Sequence, residues 1–180
     1  MAAPTRNLKL ALISLYALEN NGVRHLSAVA RGAGYEVTEV YFKDWSNNRF
    51  PWPTETEVNN LIKLLKDNDI ELVGMSVRAS AFHQMATHLT ERLRQSLNVP
   101  ILWGGMHPTF CPEDAIQVAD FIAVGECENA LVPFLESFEA GKGAEGCANI
   151  WQRTGDKILR NDMGQLPEVL DDLPFRDYHT

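Results

Sequence analysis

The stretch VPILWGGMHPT, Val99–Thr109, joins a short apolar run to two adjacent glycines and then turns through Met-His-Pro. The run reads as a buried β-strand. Paired glycines at a strand end remove two side chains and let the backbone come close to something else. That something is either the chain itself, in a tight turn, or a ligand lying against bare backbone.

The flanking segments decide which sheet this strand enters. Upstream, IELVGMSV (70–77) is an apolar strand and SAFHQMATHLTERLRQSL (80–97) has helical spacing. Downstream, CPEDAIQVA (111–119) is a short helix with Pro112 in its first turn, and DFIAVG (120–125) is a further strand. The alternation continues outward. LKLALISL (8–15) is a strand, and VRHLSAVARGAG (23–34) is a helix stopped by Gly32 and Gly34. YEVTEVYF (35–42) alternates as a strand does, and TETEVNNLIKLLKDND (54–69) opens with Thr54 and Glu57 at capping-box spacing. ENALVPFLESFEAG (128–141) is the last long helix.

Strands alternating with helices predict an α/β fold, a flavodoxin-like or Rossmann-like parallel five-stranded sheet with helices on both faces, over residues 1–145. In residues 146–180, NIWQRTGDKILRN (149–161) predicts a small hairpin around Thr154-Gly155-Asp156. LPEVLDDLPFRDYHT (166–180) is acidic and broken by prolines, and reads as a connector toward a further domain. KDWSNNRFPWP (43–53) is a loop whose Trp45, Phe50 and Trp52 read as a lid or an interface.

Composition excludes several classes. With 180 residues, 45% apolar and 22% charged, the chain has enough apolar material for a core. Its net charge of −8 provides no basic face for nucleic acid or an anionic membrane. No apolar run approaches the roughly 20 residues of a spanning helix. LKLALISLYAL lacks an A-x-A-like cleavage site, so a first strand fits better than a signal peptide. Cys111, Cys127 and Cys147 form neither a zinc pattern nor a disulfide framework, and suit a reducing, cytoplasmic location.

Ligands of such sheets bind outside the carboxyl ends of the strands, beside the reversal of strand order. The loops there are YALENNG (16–22), SVRAS (76–80), GGMHPT (104–109) and GECENA (125–130). None carries G-x-G-x-x-G or a P-loop, and a receiver domain would want an aspartate where Ser76 stands. What these ends share is smallness. Ser76, Gly104, Gly105 and Gly125 together predict a slot for a flat or elongated ligand.

These residues carry a resemblance. SVR (76–78), WGGMHPT (103–109) and ADFIAVGECENAL (119–131) resemble the N-terminal cobalamin-binding domain of the cobalamin-dependent radical SAM (S-adenosylmethionine) enzyme family. NIWQRTGDKILRN and LDDLPFRDY (170–178) are similar to the hairpin and connector that precede the radical SAM barrel there. The resemblance implies that the nucleotide tail of cobalamin threads over Gly104 and Gly105, with the corrin ring above the strand ends. The implied cofactor-binding residues are Glu19, Asn20, Asn21 and Gly22, then Ser76, Val77 and Arg78, then Gly104, Gly105 and His107, then Gly125, Glu126 and Glu128. No catalytic residue and no metal ligand is assigned. The parent enzyme would also carry a 4Fe-4S cluster and S-adenosylmethionine, and would methylate an unreactive carbon or rearrange its substrate. Its Cys-x-x-x-Cys-x-x-Cys motif would lie downstream of Thr180.

One position departs from the wider cobalamin pattern. Many such domains place Asp-x-His-x-x-Gly after the first strand, and the histidine ligates cobalt. Aligned on Gly22, that pattern puts Ala17 at the aspartate and Glu19 at the histidine. The cobalt would then be base-off and His-off, as is common in the radical SAM subgroup.

The remaining candidates have plainer readings beside this one. His25, His83 and His88 read as surface or packing residues of their helices, whereas His107 faces either ligand or a neighbouring domain. Arg78 is a solvated charge or a hold on a corrin amide, the tail phosphate or a cobalt-bound water. Glu126 and Glu128 either bind corrin side chains or cap the last helix. The alternative for the whole chain is a stand-alone flavodoxin-like binding or signalling module.

Overall fold

The computed structural model describes residues 6–45, 49–166, 168 and 173–176. Strands β1 (Lys9–Leu15), β2 (Glu36–Phe42), β3 (Leu72–Ser76), β4 (Ile101–Gly104) and β5 (Phe121–Ala123) pair in parallel in the order β2-β1-β3-β4-β5. Strand order reverses between β1 and β3. The apolar run of β1 is buried on both faces, and this is why its sequence does not alternate.

Each face has its own core. Helices α2 (Glu55–Asp67), α3 (His83–Leu97) and α5 (Pro112–Val118) pack with Ile13, Met75, Val77 and Trp103. Trp103 is fully buried there, and its indole N–H donates to Thr90 Oγ1 at 3.0 Å, so no polar group is stranded. Helices α1 (Asn21–Gly32) and α6 (Leu131–Glu139) pack on the other face with Leu10, Leu12, Leu102 and Phe121. The predicted capping box is present: Thr54 Oγ1 accepts from Glu57 N–H, and Glu57 Oε2 accepts from Thr54 N–H.

The sheet has seven strands rather than five. β6 (Ile150–Thr154) and β7 (Lys157–Leu159) form the predicted hairpin, turning at Gly155 (φ +60°), and β6 pairs antiparallel with β5. The hairpin therefore covers the edge of the parallel sheet instead of standing apart from it. Asn149 (φ +66°, buried) fastens the join. Its C=O accepts from Val124 N–H at 2.8 Å, its Nδ2 donates to Val124 C=O at 2.7 Å, and its Oδ1 accepts from Gly164 N–H at 2.7 Å.

A second difference follows Gly105. Met106–Phe110, expected to be a turn, forms the short helix α4. Pro108 stands at its third position, where the missing N–H would have had no helical partner in any case. In the loop before α2, Phe50 packs edge-on to Tyr16 and Phe82 at 5.3 and 4.9 Å, and Trp52 lies beside His88, all on the α3 side. Trp45, Phe50 and Trp52 nonetheless stay about half exposed. Of the connector, Phe175 is fully exposed, while Pro167, Leu170, Asp171, Asp172 and Tyr178 lie outside the described residues.

Candidate functional site

On the α1/α6 face, the carboxyl ends of β1, β3, β4 and β5 border a cavity of about 150 Å³. Leu12, Gly74, Leu102 and Ala123 lie beneath it, one from each strand. Gly22, Val23 and Leu26 of α1 form one wall, and Cys127, Glu128 and Leu131 the other. Ser76, Gly104, Gly105 and Gly125 occupy the strand ends, with Glu126 at the edge.

The two glycines of the opening stretch do different work. A Cβ on Gly104 would meet only Ala123 Cβ, at 3.9 Å, so the absent side chain leaves open space. Gly105 has φ +99°, and a Cβ there would lie 3.1 Å from Val77 C=O. Its own backbone requires glycine. The resemblance implies a ligand's approach at both. The structure gives Gly105 an internal reason and leaves Gly104 as the open one. Thr109 then ties neighbouring strand ends: its hydroxyl donates to Gly105 C=O at 2.9 Å and accepts from Gly125 N–H at 3.0 Å.

Asn20 organises the opposite end. It is the N-cap of α1, its Oδ1 accepting from Val23 N–H at 3.2 Å. Its Nδ2 donates to Ser14 Oγ at 3.0 Å and Ser76 Oγ at 2.9 Å, and Ser14 Oγ donates to Ala17 C=O at 2.7 Å. Asn20 is thus a brace across the order reversal. Ser76 oxygen accepts from it, which leaves the Ser76 hydroxyl proton for a partner in the slot.

The far wall holds two groups of opposite character. Burial, reinforced by Glu128 and Glu126, pushes the Cys127 thiol up to about 12, so it stays a neutral thiol. Glu128 Oε2 is buried without a hydrogen-bond partner, while Oε1 lies 3.7 Å from His25 Nδ1. A buried carboxylate oxygen without a partner calls for a donor. His25, read as a surface or packing residue, therefore stands beside the site.

The structure brings Gly22, Ser76, Gly104, Gly105, Gly125, Glu126 and Glu128 to the slot, with Asn20 behind them. Glu19, Asn21 and Arg78 are exposed and do not line it. Val77 and His107 turn to the opposite face. Val77 N–H donates to Gly104 C=O and its C=O accepts from His107 N–H. His107 is buried, its Nδ1 3.0 Å from Ser80 Oγ, and burial and then the neighbouring His83 hold it below the usual histidine range. Sequence reasoning missed Gly74, which a mid-strand glycine could have signalled. Leu12, Leu102 and Ala123 gave no signal, since apolar strand residues look alike whether they meet a helix or a ligand.

The slot thus lies beside the order reversal, under bare strand ends. The family model of the B12 binding domain matches residues 11–135. The chain belongs to the B12-binding domain family. A methyltransferase of Pyrococcus horikoshii described as uncharacterised is 23% identical over 123 residues, 67% of this chain and 27% of its own length. The cobalamin-dependent S-adenosylmethionine radical enzyme OxsB, with aqua-cobalamin and S-adenosylmethionine bound, superposes with a TM-score of 0.70 at 17% identity, over 88% of this chain and 22% of that one. The radical S-adenosylmethionine methyltransferase TsrM from Kitasatospora setae, with tryptophan and a SAM analogue bound, gives 0.72 at 16% identity, over 87% and 30%. The B12-binding domain thus shares its fold with a fraction of much longer proteins. Among the described residues no helix is long and apolar enough to cross a membrane. In this B12-binding domain Glu19, in the β1–α1 loop, is exposed.

Proposed function

We propose that this B12-binding domain is the cobalamin-holding module of a larger cobalamin-dependent radical SAM enzyme, keeping the corrinoid base-off and His-off. The observation that carries this is the open floor at Gly104 beside a β1–α1 loop that has Glu19 and no histidine. Bound cobalamin would supply the reactive cobalt–carbon bond. The chain's own residues would bind, orient and shield it.

A cavity of about 150 Å³ is below the roughly 300 Å³ of small-ligand pockets, so it would admit only the tail, with the ring outside the strand ends. Gly22, Gly104 and Gly125 would line the tail's path. The Ser76 hydroxyl would donate to it, and Glu128 Oε2 would accept from an amide or hydroxyl of the ligand. Glu126, exposed beside them, would reach groups at the mouth. Glu19, Asn21 and Arg78 would face the corrin from the rim. Cys127 supplies no thiolate to cobalt while its proton stays on.

The parent would be a methyltransferase-like enzyme of the cytoplasm. Residues 1–145 would form the cobalamin domain, and residues 146–180 would lead toward a domain carrying the 4Fe-4S cluster and S-adenosylmethionine. Titration with hydroxocobalamin, followed by paramagnetic resonance of the cob(II)alamin state, tests the reading. One-to-one binding without nitrogen superhyperfine splitting is expected. A nitrogen triplet would overturn the His-off assignment, and no binding would return the chain to a stand-alone flavodoxin-like module.

A further inference from the structure

Three helix beginnings meet on the face of the sheet away from the slot. His83 is the first residue of α3, His107 lies in α4, and Asp114 is in the first turn of α5. One ligand atom from each lies within 4.8 Å of the other two. His83 Nε2 and His107 Nε2 are 3.6 and 3.7 Å from Asp114 Oδ2. Those separations exceed a hydrogen bond. Both imidazole nitrogens are buried without a hydrogen-bond partner. Two orphaned acceptors or donors side by side are costly in a core, and each requires a reason.

We infer that His83, His107 and Asp114 form a site for a first-row divalent metal ion, with zinc the best match. Zinc bonds of about 2.1 Å at tetrahedral angles set ligand atoms about 3.4 Å apart, a few tenths of an ångström inside the two imidazole–carboxylate separations. Two neutral imidazoles and one carboxylate are a borderline donor set that favours zinc over magnesium or calcium. The surroundings orient the donors. With the His107 Nδ1 proton given to Ser80 Oγ at 3.0 Å, Nε2 presents its lone pair to the cluster. The His83 ring stands edge-on to Trp103, 5.8 Å between centroids at 83°, which limits its rotation. Asp114, with 62% of its side chain exposed, opens the site to solvent and leaves the fourth position to water.

The site is separate from the slot and does not depend on what fills it. Its effect would be to pin α3, α4 and α5 together just after Gly105, bracing the segment that shapes the strand end.

The test uses the chain without cobalamin, dialysed against zinc chloride, with bound metal measured by mass spectrometry. One zinc per chain is expected. Because His107 is buried, the variants are His83→Gln and Asp114→Asn, each expected to weaken zinc binding roughly ten-fold or more, while Cys111→Ser retains it. Cobalt(II) in place of zinc should give the ligand-field bands of a four- or five-coordinate site in the parent chain, and lose them in both variants. Zinc should also raise the melting temperature of the parent chain but not of the variants. Failure to retain zinc, equal uptake by the parent chain and both variants, or loss of binding with Cys111→Ser would each overturn the assignment.

Discussion

Asn20 reaches across the reversal of strand order to Ser76, its amide nitrogen 2.9 Å from the hydroxyl oxygen. The same side chain caps α1 and holds Ser14, so one buried residue couples the first loop to the ends of two strands. Replacing it by alanine removes a helix cap, a buried hydrogen bond and a part-buried one at once. Asn20→Ala should lower unfolding free energy by about 1–3 kcal/mol, read from urea denaturation. A change under about 0.5 kcal/mol would mean water takes over all three partners.

Gly104 and Gly105 should separate when substituted. Gly104→Val places a side chain in open space, so the fold should persist by circular dichroism while cobalamin binding is lost. Gly105→Ala forces a left-handed backbone on a residue with a Cβ 3.1 Å from Val77 C=O, and should cost about 1–3 kcal/mol of stability without any ligand present. Equal cobalamin affinity in Gly104→Val would remove the tail from this floor.

Glu57 should make the stability of α2 sensitive to acid. Hydrogen bonds from Lys43, then from Thr54 N–H and Oγ1, lower its carboxyl to about 2, below the ordinary 4.5. The unfolded chain therefore binds the proton more readily. The stabilisation is complete above about pH 4.5 and lost as pH falls toward about 2. With 40% of its side chain exposed, salt should weaken the effect. The stability gap between the parent chain and Glu57→Gln should shrink through that window. A gap independent of pH would show that packing, not charge, sets it.

Most of the sheet was legible because β1, β3 and β4 are short runs buried on both faces, bounded by glycines and caps that act locally. Ser76, Gly104 and Gly125 were legible for the same reason, since strand ends can be counted along the chain. The pairing of β6 with the three residues of β5 was not. It depends on Asn149 closing onto Val124, a contact distant in sequence. His107 was assigned to the ligand because its loop follows a strand end. A helical turn from Met106 carries it instead to the other face, and Pro108 concealed that turn. His25 offered no local sign of Glu128, which reaches it from the turn before a helix distant in sequence.

Asn149 also sets an order in time. It follows α6 in the chain, yet it fixes the backbone at Val124 and borders Gly125. A ribosome delivers the floor strands first and this clasp last. Until the clasp arrives, the N–H and C=O of Val124 lack their Asn149 partners, and a cofactor meeting the nascent domain would find one wall unfinished. Under the proposed function, a complete slot for the cofactor therefore exists only once synthesis has passed the hairpin.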